Sequence, residues 1–331
     1  MITRRGLLSM LACSAATVWS RGTGAQQPSA RCLVGVLMSF SPGDTEDQPR
    51  ARIFDETLRQ LGWVAGHNLS IEYRWAHGDG GRAKMAAEDL VARGADVLIA
   101  TSTLTLTALR DATRTVPIVF VNVTDPVGQG AVQSLAHPGG NVTGFSNYEF
   151  LLGGKWLELL REVSPGMKRV AVMQRTGHPA WSGWLAAIEA AARPLDLEPV
   201  AIRSSEPTEF EPALEDLARR GGGGLIVLPD PALGVHRDRI IGLAASHRLP
   251  AVYSRRLWPD AGGLMSAGID GIDQYKQAAG YVDRILRGER AERLPVQQPT
   301  KLELIVNLKT ARALGVTIPA SILLRADEVI E

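Results

Sequence analysis

The chain reads as an α/β protein of two doubly wound lobes, each a parallel sheet wrapped by helices. Three features predict this. Short runs rich in Val, Ile and Leu recur, and each is followed by a segment with helical periodicity. The runs are mostly continuously apolar rather than alternating, as in strands buried on both faces of a parallel sheet. They fall in two successive blocks of comparable spacing, and the roughly 306 residues that follow a leader exceed the usual size of one core.

In the first block, strands are expected from near Leu33 (LVGVLMSF), Leu69 (LSIEYRWA), Asp96 (DVLIA) and Ile118 (IVFVNV). In the second they begin near Val170 (VAVMQ), Glu198 (EPVAIR), Gly224 (GLIVL) and Ala251 (AVYS). Between them lie amphipathic helices. Phe54, Leu58 and Leu61 share a face ahead of a stop at Gly62, and Leu214, Leu217 and Ala218 do so ahead of the 221–224 glycine run. Tyr275, Ala279, Val282 and Leu286 form a third stripe, closed by Gly288. Right-handed crossovers would join these strands. The segment from Gly263 to Glu331 holds GGLMSAGID, a long helix, LPVQQPT and the strand KLELIVN. It is too small for a third domain and is expected to complete the other two.

Residues 1–25 read as a secretory leader. Arg4-Arg5 precedes an apolar run from Gly6 to Val18, and Thr23-Gly24-Ala25 supplies small residues before a cut at Gln26. The run is too short to span a bilayer, and the arginine pair fits the twin-arginine variety, so the expected destination is the periplasm. Cys13 reads as a passive leader residue rather than a lipid-attachment site. Cys32 then stands alone, with no intramolecular disulfide to make. No later stretch reaches 18 apolar residues. The net charge is +1, from 36 basic and 35 acidic residues without a block of either sign, which leaves no footprint for nucleic acid or anionic membrane.

Ligands of open α/β sheets bind beyond the carboxyl ends of the strands. The first expected strand ends in Ser39-Phe40-Ser41, the third in Thr101-Ser102-Thr103 and the fourth in Asn122-Val123-Thr124-Asp125. The second block ends its strands in Gln174-Arg175, Ser204-Ser205, Asp230 and Ser254-Arg255. Thr101–Thr103 are candidates for receiving a carboxylate at a helix start, a role compatible with plain helix capping. Asp125 and Asp230 are candidate counter-charges for an ammonium group, although Asp-Pro is also an ordinary turn signal. Phe40, Tyr148, Trp181 and Tyr253 are candidates for stacking on an apolar ligand part, while Trp156 and Trp184 read as packing residues.

Catalytic and cofactor patterns are missing from the sequence. The histidines are scattered without ligand spacing, so no metal is expected. There is no phosphate loop, and Gly128-Gln129-Gly130 meets Gln133 where a dinucleotide loop needs a third glycine. Leu264-Met265-Ser266-Ala267-Gly268 has leucine where a nucleophile elbow needs glycine. A binding protein without cofactor, not an enzyme, is the expectation.

Four stretches carry a resemblance: LRQLGWVAGHNLSIEYRWAHGD, TVPIVFVNVTDPVGQGAVQSLAHPGGNVTGFS, GGLMSAGID and LPVQQPTKLELIVNLKTARALGVTIPASILLRADEVIE. The chain resembles the substrate-binding proteins of ABC transporters, in the group that includes tryptophan- and tyrosine-uptake receptors on the type I periplasmic-binding-protein fold. The resemblance implies two lobes joined by three hinge crossings, a small polar ligand in the cleft and closure that presents it to a membrane permease. The expected crossings are near Gly144–Ser146, Asp260–Leu264 and Pro295–Thr300. Lobe one is then 26–145 plus about 263–296, lobe two 146–262 plus about 297–331, in a monomer. Two departures bear on the ligand, which the resemblance suggests is an amino acid or an aromatic acid. Ala267 stands where the family run usually has an aromatic residue, and Gln174-Arg175-Thr176-Gly177-His178 replaces an asparagine-rich loop. A sensory receptor and an exported hydrolase stay open as alternatives.

Overall fold

A computed structural model describes residues 31–331 apart from 46, 148, 149, 151, 205, 206, 221, 222, 270, 300 and 301. The expected leader, with Cys13, and the candidate Tyr148 lie outside the described residues, as does Ser205.

The first sheet is built from β1 (Cys32–Met38), β2 (Leu69–Trp75), β3 (Val97–Ala100), β4 (Ile118–Val123) and β5 (Val142–Ser146). All pair in parallel in the order β2-β1-β3-β4-β5. Helices α1 (Asp47–Gln60), α2 (Gly80–Ala92) and α3 (Thr103–Ala112) make the crossovers. Both faces are covered, which is why these strands read as continuous apolar runs. Val34, Val36 and Met38 pack towards Phe54 and Leu58 of α1, while Leu37 and Leu98 pack towards Leu90 of α2 and Leu106 of α3. Strand β5 was not among the expected strands. Its Gly144 has φ +150°, and a Cβ there would lie 2.1 Å from the Phe120 carbonyl oxygen.

The second lobe runs through α4 (Leu152–Val163), β6 (Arg169–Gln174), α5 (Trp181–Ala192), β7 (Glu198–Arg203), α6 (Phe210–Arg219) and β8 (Gly223–Val227). It continues with α7 (Pro231–Val235), α8 (Arg237–Ser246), β9 (Ala251–Tyr253), α9 (Leu257–Asp260) and β10 (Met265–Ile269). Helix α10 (Gly271–Leu286) returns to the first lobe. The chain ends with β11 (Leu302–Asn307), α11 (Leu308–Leu314), α12 (Ala320–Leu323) and β12 (Glu328–Ile330). The second sheet has the order β12-β11-β10-β9-β8-β6-β7, parallel except where β10 meets β11. Two parallel α/β lobes are therefore what the sequence folds into, with the tail as a flank of the second sheet.

The second crossing lies away from its expected place. Strand β10 pairs with β9 and β11, so the chain stays in the second lobe through Ile269 rather than crossing near Asp260–Leu264. The reason is packing. Met265, Ala267 and Ile269 belong to the core of Trp156 and Trp184, and Trp156 Nε1 donates to the Ala267 carbonyl at 2.8 Å. After the crossing, α10 lays Tyr275, Ala278 and Val282 against α1 and the first sheet. Trp63 Nε1 seals this contact by donating to Asp283 at 2.8 Å. The first and third crossings run side by side, with Ser146 N donating to the Gln297 carbonyl at 2.8 Å. Among the described residues no helix is long and apolar enough to cross a membrane.

Candidate functional site

Among the described residues, buried polar residues stand at the carboxyl ends of strands in both lobes. In the first lobe these are Ser39 after β1, Thr101 after β3, Thr124 after β4 and Asn147 after β5. In the second they are Gln174 closing β6, Ser204 after β7, Asp230 after β8 and Ser254 after β9. Loop polar groups normally face water, so their burial at the strand ends marks a cleft whose two walls meet.

The walls touch through named contacts. Phe40 is buried under the Arg255 guanidinium, 4.9 Å from its ring centroid, and against α7, where a Cβ on Gly234 would lie 2.7 Å from the ring. Asp44 of the first lobe pairs with Arg237 of the second at 3.5 Å. The backbone of α7 also approaches Gly78, whose Cβ position is 3.1 Å from the Ala232 Cα.

In the first wall, Ser39 Oγ and Thr101 Oγ1 are 2.9 Å apart, and Thr101 Oγ1 also donates to the Leu37 carbonyl. Ser102 caps α3: its hydroxyl accepts from Thr105 N, and Ser102 N donates back to Thr105 Oγ1 at 3.0 Å. Capping thus holds this loop, as its residue types allowed. Thr103, the first helical residue, faces a space of about 500 Å³ whose far side is Arg175 of the second lobe. A second space between the lobes, about 390 Å³, lies between Arg50 and Arg255. Ser41 is half-buried and its carbonyl receives Asp44 N.

Both proposed counter-charges are already engaged. Asp125, at φ +47°, turns back to accept Gly128 N at 2.9 Å. Asp230 caps α7 by accepting Ala232 N at 2.8 Å, and its other oxygen pairs with Arg175 Nε at 3.2 Å. Beside this pair, burial first, and the Arg175 charge second, hold the His178 imidazole below its ordinary range, against the opposing pull of Asp230. Two of the aromatic candidates are packing residues. Trp181 joins the core of Trp156 and Trp184. Tyr253 is 1% exposed and stacks on Trp258 at 4.6 Å, and its burial raises the phenol pKa.

A family model described as ABC transporter substrate binding protein matches residues 37–330. The chain belongs to that family. Among similar proteins is a tyrosine-binding protein of Clostridioides difficile (strain R20291), 29% identical over 262 residues, which are 79% of this chain and 75% of the relative. A conserved domain protein of Vibrio cholerae O1 biovar El Tor has a solved structure with 28% identity and a TM-score of 0.83, matched over 90% of this chain and 99% of that one. A Streptococcus pneumoniae ABC domain solved with L-Trp superposes with a TM-score of 0.83 at 23% identity, over 91% of this chain and all of the other, and shares the fold.

This substrate-binding protein places residues at the cleft that sequence reasoning passed over. Asp47 and Arg50 are buried on α1, 3.5 Å apart, and Asp47 accepts the amide of Phe40 at 3.3 Å. Tyr275 was read as one position in an apolar stripe. Its hydroxyl lies beside Thr101, and burial holds its pKa above the ordinary range. Asn147 sits in the first crossing with its side-chain oxygen buried and unpartnered among the described residues. No motif announces these four. Only the rule that strand ends and crossings line the cleft would have reached Asn147.

Proposed function

We propose that this protein is an exported receptor that takes a small carboxylate-bearing molecule between its lobes and presents it to the permease of an ABC importer. Gln174 carries the reading. It is fully buried at the carboxyl end of β6, and neither its amide nitrogen nor its amide oxygen has a partner among the described residues. Each such buried group costs roughly 1–3 kcal/mol unless something polar meets it, and a ligand held at the strand ends would do so. The capped start of α3 offers a favourable end for a carboxylate. The relatives that bind tyrosine and L-Trp support a ligand of this size and class.

The test is titration calorimetry on residues 26–331 with a panel of amino acids and organic acids, with solution scattering alongside. At least one carboxylate should bind at about micromolar Kd or better, and binding should not enlarge the particle. Absence of binding across the panel at millimolar concentration would defeat the reading. For the transport step, a strain lacking the gene should lose uptake of the ligand that binds.

A further inference from the structure

We infer that Gln274 is a positioning residue of the hinge. It ties the start of α10, the end of β5 and the end of β4 into one body, so that the cleft rim of the first lobe moves with the crossings. The inference rests on the receptor reading above, in which the lobes close around a ligand.

Gln274 is buried in the first turn of α10, a helix whose Tyr275, Ala278 and Val282 pack into the first-lobe core. Methionine has nearly the same length and would fill this place without the cost of burying an amide. Both ends of the amide are instead spent on backbone. Its oxygen accepts Asn122 N at 3.1 Å, and its nitrogen donates to the Ser146 carbonyl at 2.8 Å. One partner ends β4 and the other ends β5, so the side chain bridges two strands from a third element.

Asn122 has a particular need for this partner. The pairing of β4 with β5 steps from Val121–Phe145 to Val123–Ser146 and leaves Asn122 out, at φ +57°. Such a bulge interrupts the ladder and re-aims the residues that follow it. Those residues are Val123, Thr124 and Asp125, the rim after β4. Asn147 N donates to the Val123 carbonyl at 2.7 Å and so binds this rim to the first crossing.

Ser146 is where the crossings meet. Its N and its hydroxyl both donate to the Gln297 carbonyl of the third crossing, at 2.8 and 3.2 Å. Gln297 N in turn donates to the Gly144 carbonyl at 2.9 Å. Gln274 adds the helix that follows the second crossing. A space of about 300 Å³ lies beside Gln274, Phe145 and Gln297, so packing is open on that side and the hydrogen bonds carry more of the restraint. Bending between the lobes is thereby kept out of β4, β5 and the start of α10.

The test is native-state hydrogen exchange at single-amide resolution on residues 26–331, in the parent, Gln274→Met and Gln274→Glu. Methionine removes both bonds at similar bulk. Glutamate keeps an acceptor for Asn122 N and loses the donor to Ser146. In Q274E the amides of Ser146 and Asn147 should exchange about tenfold faster, the worth of one buried hydrogen bond, while that of Asn122 keeps its protection. In Q274M all three should speed up, and amides of β1 and β3 should hold their parent rates in both variants. Unchanged exchange at Ser146 and Asn147 in Q274E would overturn the inference. So would an equal acceleration of β1 and β3, which would make Gln274 an ordinary stabilising residue of the lobe. If a variant does not fold, the parent decides: its three amides should open as one unit, with protection within about tenfold of one another, and a wider spread would overturn the inference. No ligand enters these measurements, so their failure leaves the receptor reading intact, and failure of that reading in calorimetry leaves them readable.

Discussion

Arg255 and Phe40 meet across the cleft, the guanidinium 4.9 Å from the ring centroid, although one belongs to the second lobe and the other to the first. A cation over an aromatic face in a desolvated site contributes about 0.5–2 kcal/mol. Because the partners sit on opposite walls, that energy is present only when the lobes are together. It therefore biases closure more than it stabilises either lobe. Phe40→Leu should keep the melting temperature of the unliganded protein near that of the parent. Ligand affinity should fall by roughly 2- to 30-fold, the free-energy range above expressed as a ratio of Kd values. Solution scattering of the unliganded variant should give a larger radius.

Gly234 offers the complementary change. A Cβ at this position would lie 2.7 Å from the Phe40 ring, so a methyl group obstructs the approach of α7 without disturbing the core of either lobe. Gly234→Ala should raise the ligand dissociation rate with little change in thermal stability, as stopped-flow fluorescence would read. Combined with Phe40→Leu, the two effects should fall short of additivity, because both act through one contact.

Gly144 answers to the fold instead of to closure. Its φ of +150° and the 2.1 Å approach of a Cβ to the Phe120 carbonyl leave no room for a side chain, and the obstacle is backbone. Gly144→Ala should cost roughly 3 kcal/mol or more, at or above the top of the usual mutational range. Urea denaturation would measure it as a lower midpoint with an unchanged slope.

The parallel strands and the helices between them were legible because continuous apolar runs leave little alternative to a doubly covered parallel sheet. Strand β5 was not, because VTGFS carries Thr and Gly where a strand signal needs apolar bulk. The assignment of β10 depends on which edge it pairs with, and that is decided by Trp156 meeting Ala267 from 111 residues away. At the site, strand ends pointed to Thr101–Thr103, Gln174, Arg175, Asp230 and Arg255. They did not reveal that Arg175 closes on Asp230, 55 residues on, because an ion pair across loops has no local signature. Tyr253 and Trp181 show the opposite failure. An aromatic residue at an element end reads equally well as ligand contact or core, and here the core claims both.

His178 should make stability depend on pH. Its imidazole is held below the ordinary range in the folded protein, first by burial and then by Arg175, despite Asp230. The unfolded chain therefore takes up this proton first, near pH 6.5, and acidification favours unfolding until the folded group also titrates. Above about pH 7 both states are neutral here and the contribution vanishes. Melting temperature should fall between pH 7.5 and pH 5.5, and His178→Gln should show a smaller fall over the same window.

Asp125 supplies a prediction in which little happens. Its carboxylate accepts Gly128 N at 2.9 Å, and its backbone holds φ +47°, a conformation that asparagine adopts as readily as aspartate. Asp125→Asn preserves both features and removes only the charge. If the charge does not hold a ligand ammonium, Kd for the tightest ligand of the panel should stay within about twofold, which is under 0.5 kcal/mol. Asp125→Ala loses the turn-closing acceptor and puts a residue poorly suited to positive φ in its place, so it should lower stability by about 1–2 kcal/mol. A tenfold loss of affinity in Asp125→Asn, with melting unchanged, would instead make this carboxylate a ligand contact.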